Sequence, residues 1–269
     1  MAGSFLEIDA VTMSYSRGGA TTVAVRNVSF AVGHHEFVAL VGPSGCGKTT
    51  LLHAVGGLAP VSEGEIRCGG RRVSGPGPER VMVFQEFSLF RWRTVRGNVE
   101  FALECNDVPK AERGRIADRL LKQVGLDHRA DAYPYQLSGG MKQRVAIARA
   151  LAYDAEVLLM DEPFGALDAQ TRLDMQTLLL DIWQALQKTV LFVTHDIDEA
   201  IYVADRVLIM SPGPGTIKAE HKVSAPRPRP PEFLLSDEFI ELKRRIHGAI
   251  RTTKVTAIPS TAETRRRVT

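Results

Sequence analysis

The stretch GPSGCGKTT at 42–50 has the residue types and spacing to bind a polyphosphate. An apolar run at 37–41 precedes it and another at 51–55 follows, which is the order of a buried strand, a glycine-rich turn and a helix. The glycines allow successive backbone N–H groups to converge on phosphate oxygens, next to the positive end of the helix. Lys48 adds a charge for the β- and γ-phosphates, and the Thr49 hydroxyl is placed to ligate Mg²⁺. We therefore predict a phosphate-binding loop made of Gly42, Pro43, Ser44, Gly45, Cys46, Gly47, Lys48, Thr49 and Thr50.

Two acidic residues, Asp161 and Glu162, directly follow the apolar run at 157–160. Such a run is typical of a strand buried in a parallel sheet, and carboxylates at its end are costly to bury without a partner. Asp161 is suited to hold Mg²⁺ and Glu162 to polarise an attacking water. The alternative is a solvated strand end with a turn set by Pro163. We favour the functional interpretation because the chain also has a phosphate-binding loop.

Gln85 and His195 each follow another short apolar run, at 81–84 and 190–194. Ligands of α/β folds bind at the carboxyl ends of parallel strands, so Gln85 is placed to reach a metal or a water there. A single glutamine carries little information. His195 alone would more often be a structural histidine, but its place at a strand end favours a catalytic one.

A second anion-binding helix terminus is predicted at 137–144, LSGGMKQR. Ser138 is a good N-cap, and Gly139 and Gly140 expose backbone N–H groups at the start of a helix. One nucleotide rarely needs two such termini. Tyr15 precedes a glycine turn, and the pattern leaves it open whether the ring stacks on an adenine or is a partly exposed core side chain.

Composition places the 269-residue chain among ordinary globular proteins, with 44% hydrophobic and 24% charged residues. The net charge of +3 is spread along the chain, so no nucleic-acid partner is expected. Three cysteines without a CxxC pair fit a reducing compartment. We expect no signal peptide, and no apolar run approaches the roughly 20 residues that span a bilayer. Any work at a membrane is expected to go through a partner.

The order of the patterns predicts how the chain is divided. Antiparallel strands are predicted before the strand at 37–41, and they include the segments 23–25 and 28–32. A helical region over 88–150 includes a helix capped by Thr94. APRPRPP at 225–231 predicts extended polyproline II, followed by a helix over about 234–250 and a frayed tail with arginines at 265–267. The expected parts are 1–87, 88–152, 153–220 and 221–269. They hold, in order, antiparallel β structure with the phosphate-binding loop, a helical subdomain, the remaining core strands, and a proline-rich segment with a last helix.

These motifs together resemble the nucleotide-binding subunit of ATP-binding cassette (ABC) transporters, over nearly the whole chain and in the family's order. The family's motifs correspond to the P-loop at Gly42–Thr49, the Q-loop glutamine Gln85, the signature at 137–141, the Walker B end Asp161 with Glu162, the D-loop Ala166-Leu167-Asp168 and the switch histidine His195. The resemblance implies an α/β fold, a P-loop NTPase (RecA-like) core with an antiparallel β subdomain and an inserted α-helical subdomain.

The resemblance also implies ATP and Mg²⁺ as ligands. It assigns Glu162, His195 and Gln85 to catalysis, Thr49, Gln85 and Asp161 to the metal, and Tyr15, Ser138, Gly139, Gly140 and Asp168 to the nucleotide together with the phosphate-binding loop. Members work as head-to-tail pairs, so the expected partner is a second copy or a related cassette that closes each site with its signature. Transmembrane permease subunits, and indirectly a solute-binding protein, would hold the pair at the cytoplasmic face of the membrane.

Within the family the chain is similar to importer ATPases for nitrate, aliphatic sulfonates and taurine. The similarity lies in the stretches 86–99, 133–144, 161–172 and 210–217, whereas Tyr135 and the basic tail depart from it. The expected function is ATP hydrolysis driving import of a small anionic solute. A non-transport ABC ATPase acting on DNA or ribosomes would predict coiled-coil insertions or two cassettes in one chain, and an unrelated P-loop kinase or GTPase leaves LSGGMKQR unexplained.

Overall fold

The computed structural model describes residues 4–17 and 20–251, which form two sheets with helices between and around them. The strands are β1 (Ser4–Arg17), β2 (Ala20–Gly33), β3 (Phe37–Val41), β4 (Glu63–Cys68), β5 (Arg71–Arg72), β6 (Arg80–Val83), β7 (Val157–Asp161), β8 (Thr189–Thr194), β9 (Arg206–Met210) and β10 (Ile217–Lys222). The helices are α1 (Lys48–Val55), α2 (Val95–Cys105), α3 (Lys110–Gln123), α4 (Gly139–Ala152), α5 (Ala169–Leu186), α6 (Ile197–Val203) and α7 (Asp237–Arg251).

The larger sheet has the strand order β10-β9-β3-β8-β7-β6. Its strands from β9 to β6 are parallel, and β10 pairs antiparallel to β9 at the edge. Every residue of β3, β7 and β8 is buried, as their continuous apolar runs predict. Because the strands run in one direction, their carboxyl ends meet at a single edge of the sheet.

The smaller sheet is antiparallel, in the order β2-β1-β4-β5, and α1 packs between the two sheets. Leu51 and Leu52 of α1 are fully buried against this interface. The sequence predicted antiparallel strands here, and this is confirmed. The segments 23–25 and 28–32 belong to one strand, β2, rather than two, because an irregularity at Asn27 (φ 46°) lets pairing with β1 continue past the interruption.

The other face of the larger sheet carries a second hydrophobic core, which also includes side chains of α2 to α7. Thr94 caps α2 as predicted, since its hydroxyl accepts a hydrogen bond of 3.1 Å from Gly97 N. The alternation along β3 sends Phe37, Ala39 and Val41 into this core, while Val38 and Leu40 face α1. The sheet that carries the strand ends is therefore held rigidly from both sides. The subdomain boundaries at 87, 152 and 220 stay a prediction.

The segment 225–231 is neither helix nor strand, but it is not the regular polyproline II that we predicted. The chain bends near Arg227, and the side chain of Arg229 is almost fully buried. Its guanidinium donates to the backbone oxygens of Ile201, Tyr202 and Ala204 at the end of α6, at 2.7–3.2 Å. Burial of the arginine therefore sets the path of the segment.

The last described helix, α7, begins at Asp237 rather than near 234, because the residues before it form a short 3₁₀ turn, Pro231–Leu235. The glycine turn predicted after Tyr15, at 17–19, lies mostly outside the described residues, and the predicted frayed tail lies entirely outside them. Within the described ranges, none of the helices is long and apolar enough to cross a membrane.

Candidate nucleotide-binding and hydrolysis site

Four of the predicted site residues come directly after, or just beyond, neighbouring parallel strands. Gly42 follows β3, Glu162 follows β7, His195 follows β8, and Gln85 comes two residues after β6. Since these strands are adjacent in the order β3-β8-β7-β6, the four residues lie along one edge of the sheet. The structure thus brings together residues that are up to 153 positions apart in the sequence, from Gly42 to His195.

The phosphate-binding loop depends on backbone conformations that glycine supplies. Gly47 has φ 97°, and a Cβ added there would lie 2.7 Å from Val25 Cγ2 and 2.8 Å from Ala24 O. A side chain at this position would therefore be strained by its φ and would also collide with β2. The close approach fixes the loop against the smaller sheet.

Lys48 is buried, and its ammonium is directed back at the loop that it follows. Its Nζ donates to Gly42 O at 2.9 Å and to Pro43 O at 3.3 Å. Helix α1 begins at Lys48, and Gly47 at its N-cap has no side chain to satisfy the first N–H groups. The loop therefore offers a positive charge and backbone donors to an anion.

Thr49 and Asp161 face each other across the strand ends. The Thr49 hydroxyl donates to Asp161 Oδ1 at 2.9 Å. Burial raises the pKa of the Asp161 carboxyl, while the hydrogen bond from Thr49 and the charge of Lys48 oppose the rise. No cluster of three His, Cys, Asp or Glu side chains suited to a metal occurs in the described part of the chain. The Thr49 hydroxyl, the Asp161 carboxylate and the amide of Gln85, which follows the neighbouring strand β6, nevertheless offer hard oxygen donors of the kind that Mg²⁺ prefers.

Glu162 and His195 form a pair at the same edge. Glu162 Oε2 lies 2.9 Å from His195 Nδ1, with the carboxylate mostly shielded and the imidazole more than half exposed. The Glu162 backbone has φ 41°, a conformation that costs of order 1–3 kcal/mol for a residue with a side chain. Its N–H bonds to Val193 O at 2.8 Å. The strained backbone and the histidine together fix where the carboxylate lies.

The predicted signature lies at the start of α4. The Ser138 hydroxyl is exposed and accepts a hydrogen bond from Met141 N at 3.3 Å. A Cβ added at Gly140 would lie 2.6 Å from Thr171 Cγ2, so this glycine lets α4 approach α5 closely. Asp168 caps α5 by accepting from Thr171 N at 3.0 Å, which lowers the pKa of its carboxyl. In the described residues these two caps bond within their own helices and not to the group around Lys48 and Glu162.

Tyr15 is on β1, and its ring is 47% exposed. It lies two residues beyond Met13, which pairs with Val25, the residue against which Gly47 packs. An accessible aromatic side chain therefore projects from the strand pair that supports the phosphate-binding loop. Its exposure argues against a core role.

Sequence reasoning missed Arg149, which ties the segment after Gln85 to α4. Its guanidinium donates to Ser88 O at 2.7 Å and to Phe87 O at 3.3 Å, and burial lowers its pKa. The arginine lies on the helix predicted from the signature, but its partners are about 60 residues away in the sequence. Only the fold reveals this contact.

A glycine-rich loop after a parallel strand, with an acidic strand end and a histidine beside it, defines a P-loop NTPase. The family model for ABC transporters matches residues 25–165. The chain therefore belongs to the ABC transporter ATP-binding cassette family, and it is an ATPase that binds ATP. The predicted family, fold class and enzyme activity are confirmed.

Several relatives match over most of their length. An uncharacterized ABC transporter ATP-binding protein of Methanocaldococcus jannaschii is 50% identical over 241 residues, covering 90% of this chain and 89% of the relative. A nitrate import ATP-binding protein of Synechocystis sp. is 46% identical, covering 89% and 95% respectively. A taurine import ATP-binding protein of Rhizobium johnstonii is 44% identical, covering 93% and 97%.

Solved structures agree with this assignment. The dimeric post-hydrolysis state of an ATP-binding cassette bound to ADP and Pi superposes with a TM-score of 0.73 and 33% identity, covering 82% of this chain and 99% of that one. A dimeric bacterial ABC transporter cassette superposes with a TM-score of 0.74 and 34% identity, with the same coverage.

Proposed function

We propose that the chain is the ATP-hydrolysing subunit of an ABC importer, which dimerises on ATP and drives a small anionic solute through partner membrane subunits. The proposal of ATP hydrolysis rests on the pair of Glu162 and His195 at the strand ends beside the phosphate-binding loop, where Glu162 Oε2 lies 2.9 Å from His195 Nδ1. The relatives whose names specify nitrate or taurine import support the transport part.

In this proposal the chain's own residues divide the work of hydrolysis. Lys48 and the loop N–H groups hold the β- and γ-phosphates, and Tyr15 stacks on the adenine. Glu162 accepts a proton from the attacking water, and His195 keeps the Glu162 carboxylate in place. Thr49, Asp161 and Gln85 would hold Mg²⁺, which neutralises phosphate charge when bound.

A second copy of the chain is the proposed partner for completing the site. Ser138, Gly139 and Gly140 present a helix N-terminus that is exposed at Ser138, and in the described residues Ser138 does not bond to the group around Lys48. Their proposed target is the γ-phosphate of the nucleotide in the opposite subunit, with Asp168 at the same interface. The dimeric arrangement of the solved relatives supports this pairing.

A groove beside Gln85 is the proposed docking place for the permease subunits. Its volume is about 540 Å³, and it is lined by Gln85, Glu86, Phe87, Ser88, Leu89, Arg91, Pro134, Tyr135, Lys142 and Ala166. The large side chains of Tyr135, in the groove, and Trp92, next to Arg91, are 76% and 75% exposed. Exposed aromatic side chains are favourable for protein contacts. Docking here would place the chain peripherally at the cytoplasmic face, with a solute-binding protein acting through the permease.

The catalytic assignment is tested by Glu162→Gln, which keeps the shape of the side chain but removes the base. We expect ATP binding to persist, steady-state phosphate release to fall by at least about 100-fold, and an ATP-bound dimer to accumulate in size-exclusion chromatography. Glu65→Gln, which alters an exposed carboxylate on β4, serves as the matched control and should keep full turnover. Normal turnover in Glu162→Gln would contradict the assignment of Glu162 as the catalytic base.

The shared site is tested by mixing two inactive variants. Ser138→Arg blocks one signature and Lys48→Ala disables one phosphate-binding loop, so a mixed pair still contains one site with both parts intact. We expect the mixture to hydrolyse ATP above the sum of the separate variants. A mixture with no gain would contradict completion of the site by a second copy.

A further inference from the structure

The first turn of α5 contacts three of the segments that the proposed mechanism uses. Thr171 Cγ2 lies 2.6 Å from the position of a Cβ at Gly140, so α5 packs directly on the signature helix. Arg172 Nη2 donates to Leu167 O of the D-loop at 3.0 Å. Arg172 Nη1 donates to Asp196 Oδ2 at 3.1 Å. One guanidinium therefore joins the D-loop to the residue that follows His195.

Asp196 in turn fixes the loop at 194–196, which we call the switch loop. Its Oδ1 accepts from Asp198 N at 2.9 Å and from Glu199 N at 3.2 Å, so it caps α6. Its own N–H donates to Thr194 Oγ1 at 3.0 Å. His195 lies between two residues that are held in this way, and the second of them is also held by Arg172.

The Arg172–Asp196 pair is not placed to contribute much to stability. Both side chains are 31% exposed, and ion pairs with that exposure are worth little to the folded state. Its geometry, however, is specific, because two nitrogens of one planar group reach two separate loops. The Arg172 Nε atom is buried without a hydrogen-bond partner in the described residues, so the guanidinium makes these hydrogen bonds through its two terminal nitrogens.

We propose that Arg172 is a positioning residue that holds the switch loop, and with it His195, in register with the D-loop. The inference rests on the proposed roles of His195 and of the D-loop. Since the signature helix, the D-loop and the switch loop all contact the first turn of α5, a shift of this turn moves His195 relative to Glu162. Loss of the guanidinium therefore weakens hydrolysis through His195 and leaves ATP binding intact.

The test uses Arg172→Met in the full-length chain, with Arg244→Met as the matched control. Arg244 is exposed on α7 and pairs with Glu241, so the control removes an ion-paired helical arginine away from the site. We expect kcat for ATP to fall about tenfold in Arg172→Met, as small misplacements of catalytic groups do, with the Kd for ATP unchanged. The melting temperature should move by no more than about 3 °C in either variant. An unchanged kcat, or a parallel loss of ATP affinity, would overturn the proposal.

Measurements in the His195→Ala background distinguish a positioning role of Arg172 from general damage to the fold. If Arg172 acts through His195, adding Arg172→Met to His195→Ala should lower phosphate release in single-turnover assays less than about twofold further, because interacting residues are not additive. A full tenfold further loss would show that Arg172 acts by another route.

Hydrogen exchange gives a readout that does not depend on residual activity. Backbone amides over 195–200 should exchange at least about tenfold faster in Arg172→Met, whereas those of β1 should not change. Unchanged exchange over 195–200 would overturn the inference. The single variant His195→Ala distinguishes failure of the proposed function from failure of this inference. Full turnover in His195→Ala would contradict the proposed role of His195. Impaired turnover in His195→Ala together with normal turnover in Arg172→Met would contradict only the positioning role of Arg172.

Discussion

Glu199 is a buried carboxyl in the first turn of α6, and its ionisation should be measurable in the stability of the protein. It lies on α6, four residues after His195, and is 4% exposed. Burial raises its pKa to about 7, with the charge of Asp196 adding to the rise and hydrogen bonds from Thr194 and Gln176 opposing it. The carboxyl is therefore neutral in the folded protein at mildly acidic pH, where it would be ionised in the unfolded chain.

The sign and size of the effect follow from linkage. Between pH 4.5 and about 7 the folded state holds a proton on Glu199 that the unfolded state has lost, so the free energy of unfolding falls as pH rises through this window. Below and above this pH window, Glu199 has the same protonation state in the folded and unfolded protein, so it does not change how the free energy of unfolding depends on pH. The rise from 4.5 to about 7 corresponds to a total of about 3 kcal/mol, since one pKa unit is worth about 1.4 kcal/mol.

Glu199→Gln removes the titration while keeping a group that can accept from Gln176 Nε2, which lies 3.3 Å from Glu199 Oε1. Urea unfolding of variant and parent at pH 5 and pH 8 gives the difference in their free energies of unfolding at each pH. We expect this difference to shift in favour of the variant by about 2.5 kcal/mol between the two pH values. Taking the difference from the parent cancels every other titrating group.

Glu241→Gln is the control, because Glu241 is an exposed carboxylate on α7 whose pKa is lowered by hydrogen bonds from Arg245 and Arg244. Replacing Glu241 by Gln should not raise the free energy of unfolding, relative to the parent, at pH 8 compared with pH 5. A shift below about 0.5 kcal/mol for Glu199→Gln, or one equal to the control, would refute the reasoning that Glu199 is protonated in the folded state near neutral pH.

Three further outcomes are expected. Lys48→Ala should weaken ATP binding at least about tenfold in isothermal titration, because it removes the buried ammonium beside the loop; unchanged affinity would contradict the phosphate-binding assignment. Gly47→Ala should weaken ATP binding by a similar factor, because the φ of 97° and the 2.7 Å distance from the added Cβ to Val25 Cγ2 both force the loop to move. Normal affinity would show that ATP binding tolerates this movement of the loop. Arg229→Met should lower the free energy of unfolding in urea by about 2–4 kcal/mol, because three backbone carbonyls at the C-terminal end of α6 lose a charged donor. Arg244→Met should change this free energy by less than about 0.5 kcal/mol.

The sequence could predict those site residues that directly follow a strand. Apolar runs are readable from local pattern, and the residue after each run is then placed at one edge by the direction of the strands. This is why Gly42, Glu162 and His195 could be grouped before the fold was known. The grouping needed the strands to be parallel, and the pattern of fully apolar runs indicated that.

The parts that sequence did not predict depend on contacts between distant segments. Arg172 reads as one charge on an amphipathic helix, and nothing in its neighbourhood in the sequence indicates Asp196, which is 24 positions away. The segment around Arg229 reads as a solvated proline-rich stretch, because composition favours an extended chain there. The buried acceptors at the end of α6 outweigh that preference, since unpaired helix carbonyls are costly to bury.

His195 lies just before α6, a helix whose two ends are held by arginines from other parts of the chain. Arg172 holds the N-terminal end of α6 through Asp196, and Arg229 donates to three carbonyls at its C-terminal end. Tyr202 returns a hydrogen bond of 3.0 Å to Arg229 O, so the segment and the helix hold each other. His195 and all of these residues lie beyond 25–165, the region that the family model matches. The proposed phosphate-binding loop therefore lies within the matched region, whereas the position of His195 depends on residues that follow position 165.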